Sequence, residues 1–298
     1  MKIYLYKVDD KLQPDHQNYI WPPQNQKQDR GVEQDFYEWS ILQDDLLTDD
    51  LGEADYIYLP IFWNRFYINT PDADGHWGGG TDKLNEQVSE VLRYGIPVFT
   101  ISEADEFILH PQINWGDMIM FISSRRGDKG IDIPLLSASH DLPSKIPDKK
   151  YLASFVGSLG TDGTRTAMQE ALKDREDCWI EHAGKGSEYF VNLMLSSYIA
   201  LCPRGTGGQS FRFYEAMQLG VVPLYISDVD CRPFKNWIDW NLCSIYFSSP
   251  NKLSFWMDFY DNDKILLKNL GDNAKFTYDN FLAYRKWCKF VIKELELL

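Results

Sequence analysis

The segment 204–212 concentrates residues that could bind phosphate, and it reads Arg-Gly-Thr-Gly-Gly-Gln-Ser-Phe-Arg. Its glycines allow a tight turn in which backbone N–H groups approach a ligand closely. Ser210 is placed to cap a following helix, whose N-terminus favours an anion, and Arg204 and Arg212 supply the planar donors that suit phosphate. The pattern indicates an anion-binding turn; an ordinary helix-capping loop with surface arginines is the alternative.

A carboxylate follows on the same predicted helix. Glu215 lies five positions after Ser210, a little over one helical turn further on. A carboxylate there can accept two ribose hydroxyls, as an acidic residue does in dinucleotide sites. Because no lysine precedes the serine, the segment is not a Walker A loop. It favours a ligand that carries both phosphate and ribose.

Alternating strands and helices must position this segment. The apolar patterns predict strands at 3–8, 54–60, 97–101, 118–122, 152–156, 178–181, 198–202 and 221–226, and helices at 34–47, 84–94, 164–172, 189–196, 211–219 and within 252–298. Such alternation is typical of α/β folds with parallel sheets covered on both faces. The Ser- and Pro-containing stretch 137–150 is the best linker candidate. We therefore expect two Rossmann-like domains, 1–145 and 146–298, facing a central cleft, and leave open whether the last helix packs on the N-terminal domain.

The composition narrows the class of protein. The 298 residues include 44 acidic and 30 basic side chains, a net charge of −14 that argues against a sequence-independent nucleic-acid binder. Hydrophobic residues make up 44%, which excludes a mainly disordered chain. The five cysteines lack CxxC spacing, so buried thiols are favoured over a zinc site or disulfides. Without a long apolar run or a signal peptide, we expect a soluble cytoplasmic protein, in a host cytoplasm if it is viral.

The run 202–223 resembles the signature of the exostosin-like glycosyltransferases, family 47 of the glycosyltransferase classification. It reads Cys-Pro-Arg-Gly at its start and Ser-Phe-Arg-Phe-Tyr-Glu-Ala-Met-Gln-Leu-Gly-Val-Val-Pro from Ser210 onward. Weaker similarities follow in the family's order and extend over roughly residues 1 to 250. They comprise 2–6, 54–62, 130–134, 155–158 leading to Arg165, 232–234, 238–240 and 244–245.

This resemblance implies a GT-B fold in which the first domain binds the acceptor and the second binds a nucleotide sugar. It implies an inverting transferase that uses mostly UDP-linked sugars, acts on a glycan hydroxyl and needs no catalytic metal or other cofactor. The membrane anchor and stem of the Golgi members are not seen, and the chain is similar to the compact soluble members of bacteria and large DNA viruses, including a xylosyltransferase type. The donor sugar (xylose, glucuronic acid or similar), the acceptor and the oligomeric state stay open.

The resemblance also assigns roles in the donor site. Ser210 and Arg165 would contact the pyrophosphate with help from Arg204, and Glu215 would hold the ribose. His182 follows a predicted strand and is placed beside the base or sugar, or is a loop histidine without that role. The full predicted donor set comprises Gly157, Ser158, Arg165, His182, Pro203, Arg204, Gly205, Ser210, Phe211, Arg212 and Glu215.

Inversion requires a group that deprotonates the acceptor hydroxyl, and we expect it in the N-terminal half. Four carboxylates qualify there: Asp72, Asp74, Glu103 and Asp105. The pair at 72 and 74 is preferred and Glu103 is next, while a solvated loop is the alternative for each. His76 and Trp77, in the same loop as the preferred pair, are predicted to contact the acceptor.

Two other functions fit parts of the sequence. Asp72-Ala-Asp74 and Asp228-Val-Asp230 match the DxD pattern with which metal-dependent GT-A transferases hold a diphosphate. The second of these follows a predicted strand, but it comes late in the chain, behind the anion-binding turn. The other alternative is a nucleotide- or sugar-binding protein without catalysis.

Overall fold

The computed structural model describes residues 1–16, 31–70, 80–103, 113–137, 139–182 and 186–298. The chain divides into two compact units, one formed by Met1–Ala138 with Tyr284–Leu298 and the other by Ser139–Ala283. The sequence-based boundary at 145/146 therefore falls inside the second unit. Residues 284–298 lie with the first unit rather than with the neighbouring segments of the chain.

Parallel strands and helices alternate through the described residues. The strands are β1 (Ile3–Leu5), β2 (Leu47–Thr48), β3 (Tyr56–Tyr58), β4 (Val98–Ser102), β5 (Ile119–Ile122), β6 (Ile131–Asp132), β7 (Tyr151–Val156), β8 (Cys178–Glu181), β9 (Ser197–Pro203), β10 (Val222–Ile226) and β11 (Ile245–Phe247). The helices are α1 (Val32–Ser40), α2 (Trp63–Asn69), α3 (Thr81–Leu92), α4 (Gly163–Leu172), α5 (Ser187–Leu195), α6 (Phe211–Gln218), α7 (Leu253–Asp261), α8 (Lys264–Thr277) and α9 (Cys288–Leu295). No helix in these ranges is long and apolar enough to cross a bilayer.

The first unit is built on a parallel sheet with the strand order β2-β1-β3-β4-β5-β6. Every residue of β4 is buried, as expected for a strand inside a parallel sheet that is covered on both faces. On α3, Leu84, Val88 and Val91 recur at helical spacing and are fully buried in the core of this unit.

The C-terminal helix α9 completes the first unit. Trp287 just before it is fully buried, and its indole N–H donates to Asp35 on α1 at 2.9 Å. At the other end of the helix, the Tyr56 hydroxyl donates to the carbonyl of Leu295 at 2.8 Å. The C-terminal segment packs here because Arg285 and Trp287 supply hydrogen-bond donors to the buried carboxylate of Asp35 on α1.

The second unit carries a parallel sheet with the order β11-β10-β9-β7-β8. Its core clusters residues of β7, β9 and β10 with apolar side chains of α4, α7 and α8. Gly220 ends α6 with φ +67, and α8 packs so closely on this turn that a Cβ on Gly271 would lie 2.5 Å from the Gly220 carbonyl oxygen. The predicted class of two Rossmann-like parallel α/β domains is confirmed.

Candidate functional site

The second sheet changes its direction of winding between β7 and β9. The chain runs from β7 to β8 on one side and then returns to β9 on the other side of β7. In open parallel sheets, ligands bind beyond the carboxyl ends of the strands at such a switch point. Gly157 and Ser158 follow β7 here, and Pro203, which ends β9, is followed by Arg204 and Gly205. Tertiary structure thus joins two separate parts of the predicted donor site.

Arg165 ties the two strand ends together. It lies in the first turn of α4 and is 8% exposed. Its Nε donates to the carbonyl of Arg204 at 3.0 Å, and its Nη1 donates to the carbonyl of Ser158 at 2.7 Å and to the Thr161 hydroxyl at 3.2 Å. The guanidinium is therefore held by neutral oxygens at the switch point.

Arg212 approaches the same place from α6. Its Nη2 donates to the carbonyl of Val156, and its guanidinium carbon lies 4.2 Å from the ring centroid of Phe155 and 5.6 Å from that of Phe190. A Cβ on Gly157 would lie only 2.5 Å from Nη2. A glycine at this position thus makes room for the arginine to cross the end of β7.

Within the described parts of the chain, neither guanidinium group is hydrogen-bonded to a carboxylate, although the negative charges of Asp162 and Glu215 act on Arg165 and Arg212, respectively. Burial lowers the pKa of Arg165 to about 10, and the positive charge of Arg212 acts in the same direction. Burial also lowers the pKa of Arg212, whose Nε is buried without a hydrogen-bond partner. Neighbouring buried cations of this kind favour an anion between or beside them.

The N-terminus of α6 lies at the same edge. Ser210 occupies the N-cap position, with φ −142 and ψ 132, but its side chain accepts no hydrogen bond from the helix. Ser210 therefore lies at the predicted N-cap position, but its hydroxyl does not make the side-chain bond that usually caps a helix. Among the described residues, the backbone N–H groups of Phe211 and Arg212 also have no hydrogen-bond acceptor. They are the type of donor that binds anions at helix N-termini.

Arg204, unlike the other two arginines, is paired with acid. Its Nη1 donates to the carboxylate of Asp228, and its Nε lies 3.9 Å from Asp162. Asp162 caps α4 by accepting the Thr164 N–H at 2.8 Å. Burial acts to raise the pKa of Asp162, but this hydrogen bond and the nearby arginines outweigh it, so the pKa lies below its ordinary value. Asp162 was missed in the sequence, although Asp-Gly-Thr before a helical pattern is an N-cap signal.

Glu215 is buried on α6 and bound by a residue outside the predicted site. Its Oε1 lies 3.0 Å from Nε2 of His140. His140 belongs to the stretch assigned to the linker, where nothing in the local pattern marks a histidine for this contact. The two side chains meet only because residues 139–145 pack with the second unit.

His182 reaches the same edge from the end of β8. Its Nδ1 lies 3.4 Å from the carbonyl oxygen of Gly157, and the residue is exposed. On the other side of the switch point, a Cβ on Gly205 would lie 3.5 Å from both Nη2 of Arg165 and the Gln209 carbonyl oxygen. The predicted donor residues are thus gathered at one edge of the second sheet.

The two aspartates of the DxD segment 228–230 form ion pairs with basic side chains of the second unit. Asp228 binds Arg204, and both oxygens of Asp230 bind Arg232 at 2.9 Å, with Lys235 at 3.3 Å. Burial acts to raise the pKa of Asp230, but the bonds from Arg232 and its charge outweigh it and lower the pKa. These carboxylates therefore neutralise arginines in the described structure.

One of the predicted acids of the N-terminal half is buried beside a second glutamate. Glu103 directly follows β4 and is 6% exposed, and its backbone N–H donates to Oε1 of Glu33 at 3.0 Å. Glu33 on α1 is itself buried and accepts the backbone N–H of Asn64, at the start of α2, at 3.2 Å. Burial, reinforced by the charge of Glu103, raises the pKa of Glu33 well above its ordinary value despite these backbone bonds.

The sequence pattern does not mark Glu33 as functional, because a glutamate next to the start of a predicted helix is typical of a solvated helix face. The remaining predicted residues of the first unit are Asp72, Asp74, His76, Trp77 and Asp105, and they lie outside the described residues.

Comparison with known proteins gives concordant sequence matches. Residues 1–255 match the family described as the exostosin GT47 domain. An exostosin-1 homolog of Caenorhabditis elegans is 36% identical over 158 residues, 45% of this chain and 41% of the relative. Human ribitol-5-phosphate xylosyltransferase 1 is 30% identical over 93 residues, 28% of this chain and 21% of the relative. The matched part of the chain thus spans less than half the length of these curated relatives.

Among solved structures, Anabaena Alr3699/HepE in complex with UDP-glucose aligns over 100% of both chains, with a TM-score of 0.49 and 10% identity.

Proposed function

Because the chain belongs to the exostosin GT47 family of glycosyltransferases, we propose that it transfers a sugar from a UDP-sugar to a hydroxyl of a glycan acceptor. The reaction proceeds with inversion at the sugar carbon and without a catalytic metal. Xylose and glucuronic acid are the sugars we would test first, since a xylosyltransferase and exostosins are among the relatives by name.

The observation that carries this proposal is the pair of buried guanidinium groups at the switch point of the second sheet. Arg165 and Arg212 are held by backbone oxygens and aromatic rings, so their charge is available to a ligand. In glycosyl transfer the diphosphate gains negative charge as it leaves the sugar. Cations and N–H groups already in position stabilise this charge without further rearrangement.

The geometry of α6 suits the rest of the donor. The N-terminus of the helix takes a phosphate, and Glu215 lies five residues beyond Ser210, about 7.5 Å along the axis at 1.5 Å per residue. The distance is of the size that separates a pyrophosphate from the hydroxyls of the attached ribose. Glu215 thus holds the ribose while Arg165 and Arg212 hold the diphosphate.

The acceptor hydroxyl is deprotonated by a carboxylate of the first unit. Glu103 is the candidate within the described residues, because it directly follows β4, is buried, and donates its backbone N–H to Glu33, whose pKa is raised well above its ordinary value by burial. A carboxylate at the end of a strand of the first unit is the kind of group that can act as the general base. Asp72, Asp74 and Asp105 are the other candidates from the sequence.

Metal independence has separate support. The carboxylates of Asp228 and Asp230, which a DxD mechanism would use, are bound to Arg204 and Arg232. The diphosphate charge is met by Arg165 and Arg212 instead. Transfer should therefore keep its full rate in excess EDTA, whereas loss of activity that Mn²⁺ restores would support the metal-dependent alternative.

A binding and turnover screen tests the proposed function. We expect UDP at one hundred times its Kd to stabilise the protein by about 2.7 kcal/mol in thermal unfolding. With a glycan acceptor, one UDP-sugar of the panel should be consumed and UDP released. No stabilisation by any uridine nucleotide would contradict the donor assignment. Binding without turnover of any UDP-sugar would instead indicate a protein that binds donors without catalysis.

A further inference from the structure

A histidine and a glutamate form a partly enclosed pair beside the arginines of the second unit. Nε2 of His140 lies 3.0 Å from Oε1 of Glu215, and the side chains are 14% and 8% exposed. An ionised carboxylate can only accept a hydrogen bond, so the Nε2 nitrogen carries the proton and donates it. The bond joins two residues that are far apart in the sequence.

This bond uses Oε1 of Glu215 and leaves the other carboxylate oxygen, Oε2, able to accept a hydrogen bond from a ligand. No hydrogen bond from the described residues reaches Oε2. A glutamate side chain has several rotatable bonds, and a hydrogen bond to one oxygen restricts where the other can point. His140 thus fixes the direction in which the remaining oxygen accepts.

The imidazole ring of His140 packs against Phe190, a residue that also contacts Arg212. Its ring centroid lies 5.5 Å from that of Phe190 on α5, and the same phenyl ring lies 5.6 Å from the guanidinium carbon of Arg212. Arg212 and Glu215 are three residues apart on α6 and share one face of that helix. One aromatic side chain therefore aligns the cation and the histidine that contacts the carboxylate.

We propose that His140 is a positioning residue for the nucleoside half of the donor, which holds Glu215 so that Oε2 accepts a ribose hydroxyl. The proposal rests on the proposed function, since it takes the ligand to be a uridine diphosphate sugar. It gives the site two parts with different partners, which share the contact with Phe190. Arg165 and Arg212 bind the diphosphate, and the His140–Glu215 pair recognises the ribose.

Two polar variants test the hydrogen bond itself. In His140→Gln the side-chain amide places its N–H near the position of Nε2, whereas in His140→Asn the amide is too short to reach Glu215. Titration calorimetry compares the affinities for UDP and for 2′,3′-dideoxy-UDP, which lacks the ribose hydroxyls. His16→Ala, in the first unit, serves as the control, because His16 accepts the side-chain amide N–H of Asn69 through its backbone carbonyl, which the substitution keeps.

We expect the wild-type protein to bind UDP at least about tenfold more tightly than the dideoxy analogue, since hydrogen bonds to a carboxylate are lost with the hydroxyls. His140→Gln should keep most of this preference, and His140→Asn should reduce it to about threefold or less. The affinity for the dideoxy analogue should change little in either variant, because the diphosphate contacts are intact. Glu215→Gln combined with His140→Asn should lose no more than Glu215→Gln alone.

The outcomes separate the two proposals. If the wild-type protein binds no uridine nucleotide, the proposed function fails. If it binds UDP but does not distinguish UDP from its dideoxy analogue, the role of Glu215 in ribose binding fails, and the role of His140 fails with it. If the wild type distinguishes them and His140→Asn does so equally well, the role of His140 is overturned. If His140→Asn weakens both ligands by the same factor, the histidine only supports the fold, and the positioning role is likewise overturned.

Discussion

The carboxyl ends of the two sheets carry buried charge of opposite sign. In the second unit Arg165 and Arg212 gather at the end of β7, where carbonyl oxygens accept their hydrogen bonds. In the first unit Glu33 and Glu103 gather at the end of β4, where backbone N–H groups donate to Glu33. Both parallel sheets therefore bury charged side chains at the carboxyl ends of their strands, and the type of residue decides the sign of the charge.

The two regions also differ in how the buried charge is tolerated. The pKa of Arg165 is lowered to about 10 by burial and by Arg212, yet the group stays charged at neutral pH. The pKa of Glu33 is raised well above its ordinary value by burial and by the charge of Glu103, which favours the neutral form of this side chain. Burial thus leaves the arginine charged at neutral pH, whereas it acts against the charge of the glutamate.

The largest expected effect concerns the acidic region. Glu103→Gln should lower the rate of sugar transfer by about 10²- to 10⁴-fold, because general base catalysis is lost, and the affinity for UDP should not change. Initial rates and UDP titrations measure the two effects, with the exposed Glu86→Gln on α3 as the control. Full activity of Glu103→Gln would contradict the proposed role of the acidic region and leave Asp72, Asp74 or Asp105 as the base.

The next effect concerns the basic region. Arg165→Ala should weaken UDP binding by about 100-fold, since charge-assisted hydrogen bonds to the diphosphate are lost. Arg165→Lys should recover little of it, because one ammonium cannot replace the planar fork that also bonds to Arg204 and Ser158. Lys173→Ala, which removes an exposed cation next to α4, is the control. Equal UDP affinity in the wild type and Arg165→Ala would contradict a diphosphate site here.

A smaller effect sharpens the geometry of the basic region. In Gly157→Ala the new methyl group would lie 2.5 Å from Nη2 of Arg212 and must displace the guanidinium. We expect UDP binding about tenfold weaker, the size of one misplaced charged hydrogen bond. The matched control is Gly160→Ala in the same loop, where no atom lies within 4 Å of the added Cβ. If both variants bind UDP like the wild type, Arg212 does not hold the ligand at this position.

The smallest effect is on the pH dependence of stability. Because the pKa of Glu33 is higher in the folded than in the unfolded protein, the folded state binds the proton more tightly. The contribution of Glu33 to stability is then full below about pH 4.3, the unfolded value, and is lost as the pH rises toward the folded pKa. The loss has a slope of at most about 1.4 kcal/mol per pH unit. Urea unfolding across this range should show the loss in the wild type but not in Glu33→Gln, and parallel curves would argue against the raised pKa.

Local sequence patterns were enough to predict helices whose positions depend on apolar spacing and on turn residues. The burial pattern of α3 and the helix after Ser210 follow from apolar spacing and from glycines at the turns. The resemblance of 202–223 predicts roles for Ser210 and Glu215, and the weaker similarity from 155 to 165 predicts one for Arg165. The structure brings these residues to one edge of the second sheet or onto the helix that begins there.

The residues that were missed have ordinary local surroundings. His140 lies in a polar stretch without periodicity, and Glu33 lies at the start of a helix, where acids are common. Their significance depends on partners at Glu215 and Glu103, which are distant in the sequence. The return of α9 to the first unit likewise depends on Asp35, which receives the indole N–H of Trp287.

The sequence by itself therefore determined the class of fold, the family and the glycine-rich turn before α6, because these depend on periodicity, turn residues and a contiguous motif. Only the tertiary structure decided which charges are buried together, which are paired and which are open to a ligand. Burial and pairing arise from side chains that meet across strand ends, and the same side chains in solvated loops would have ordinary pKa values and no shared role.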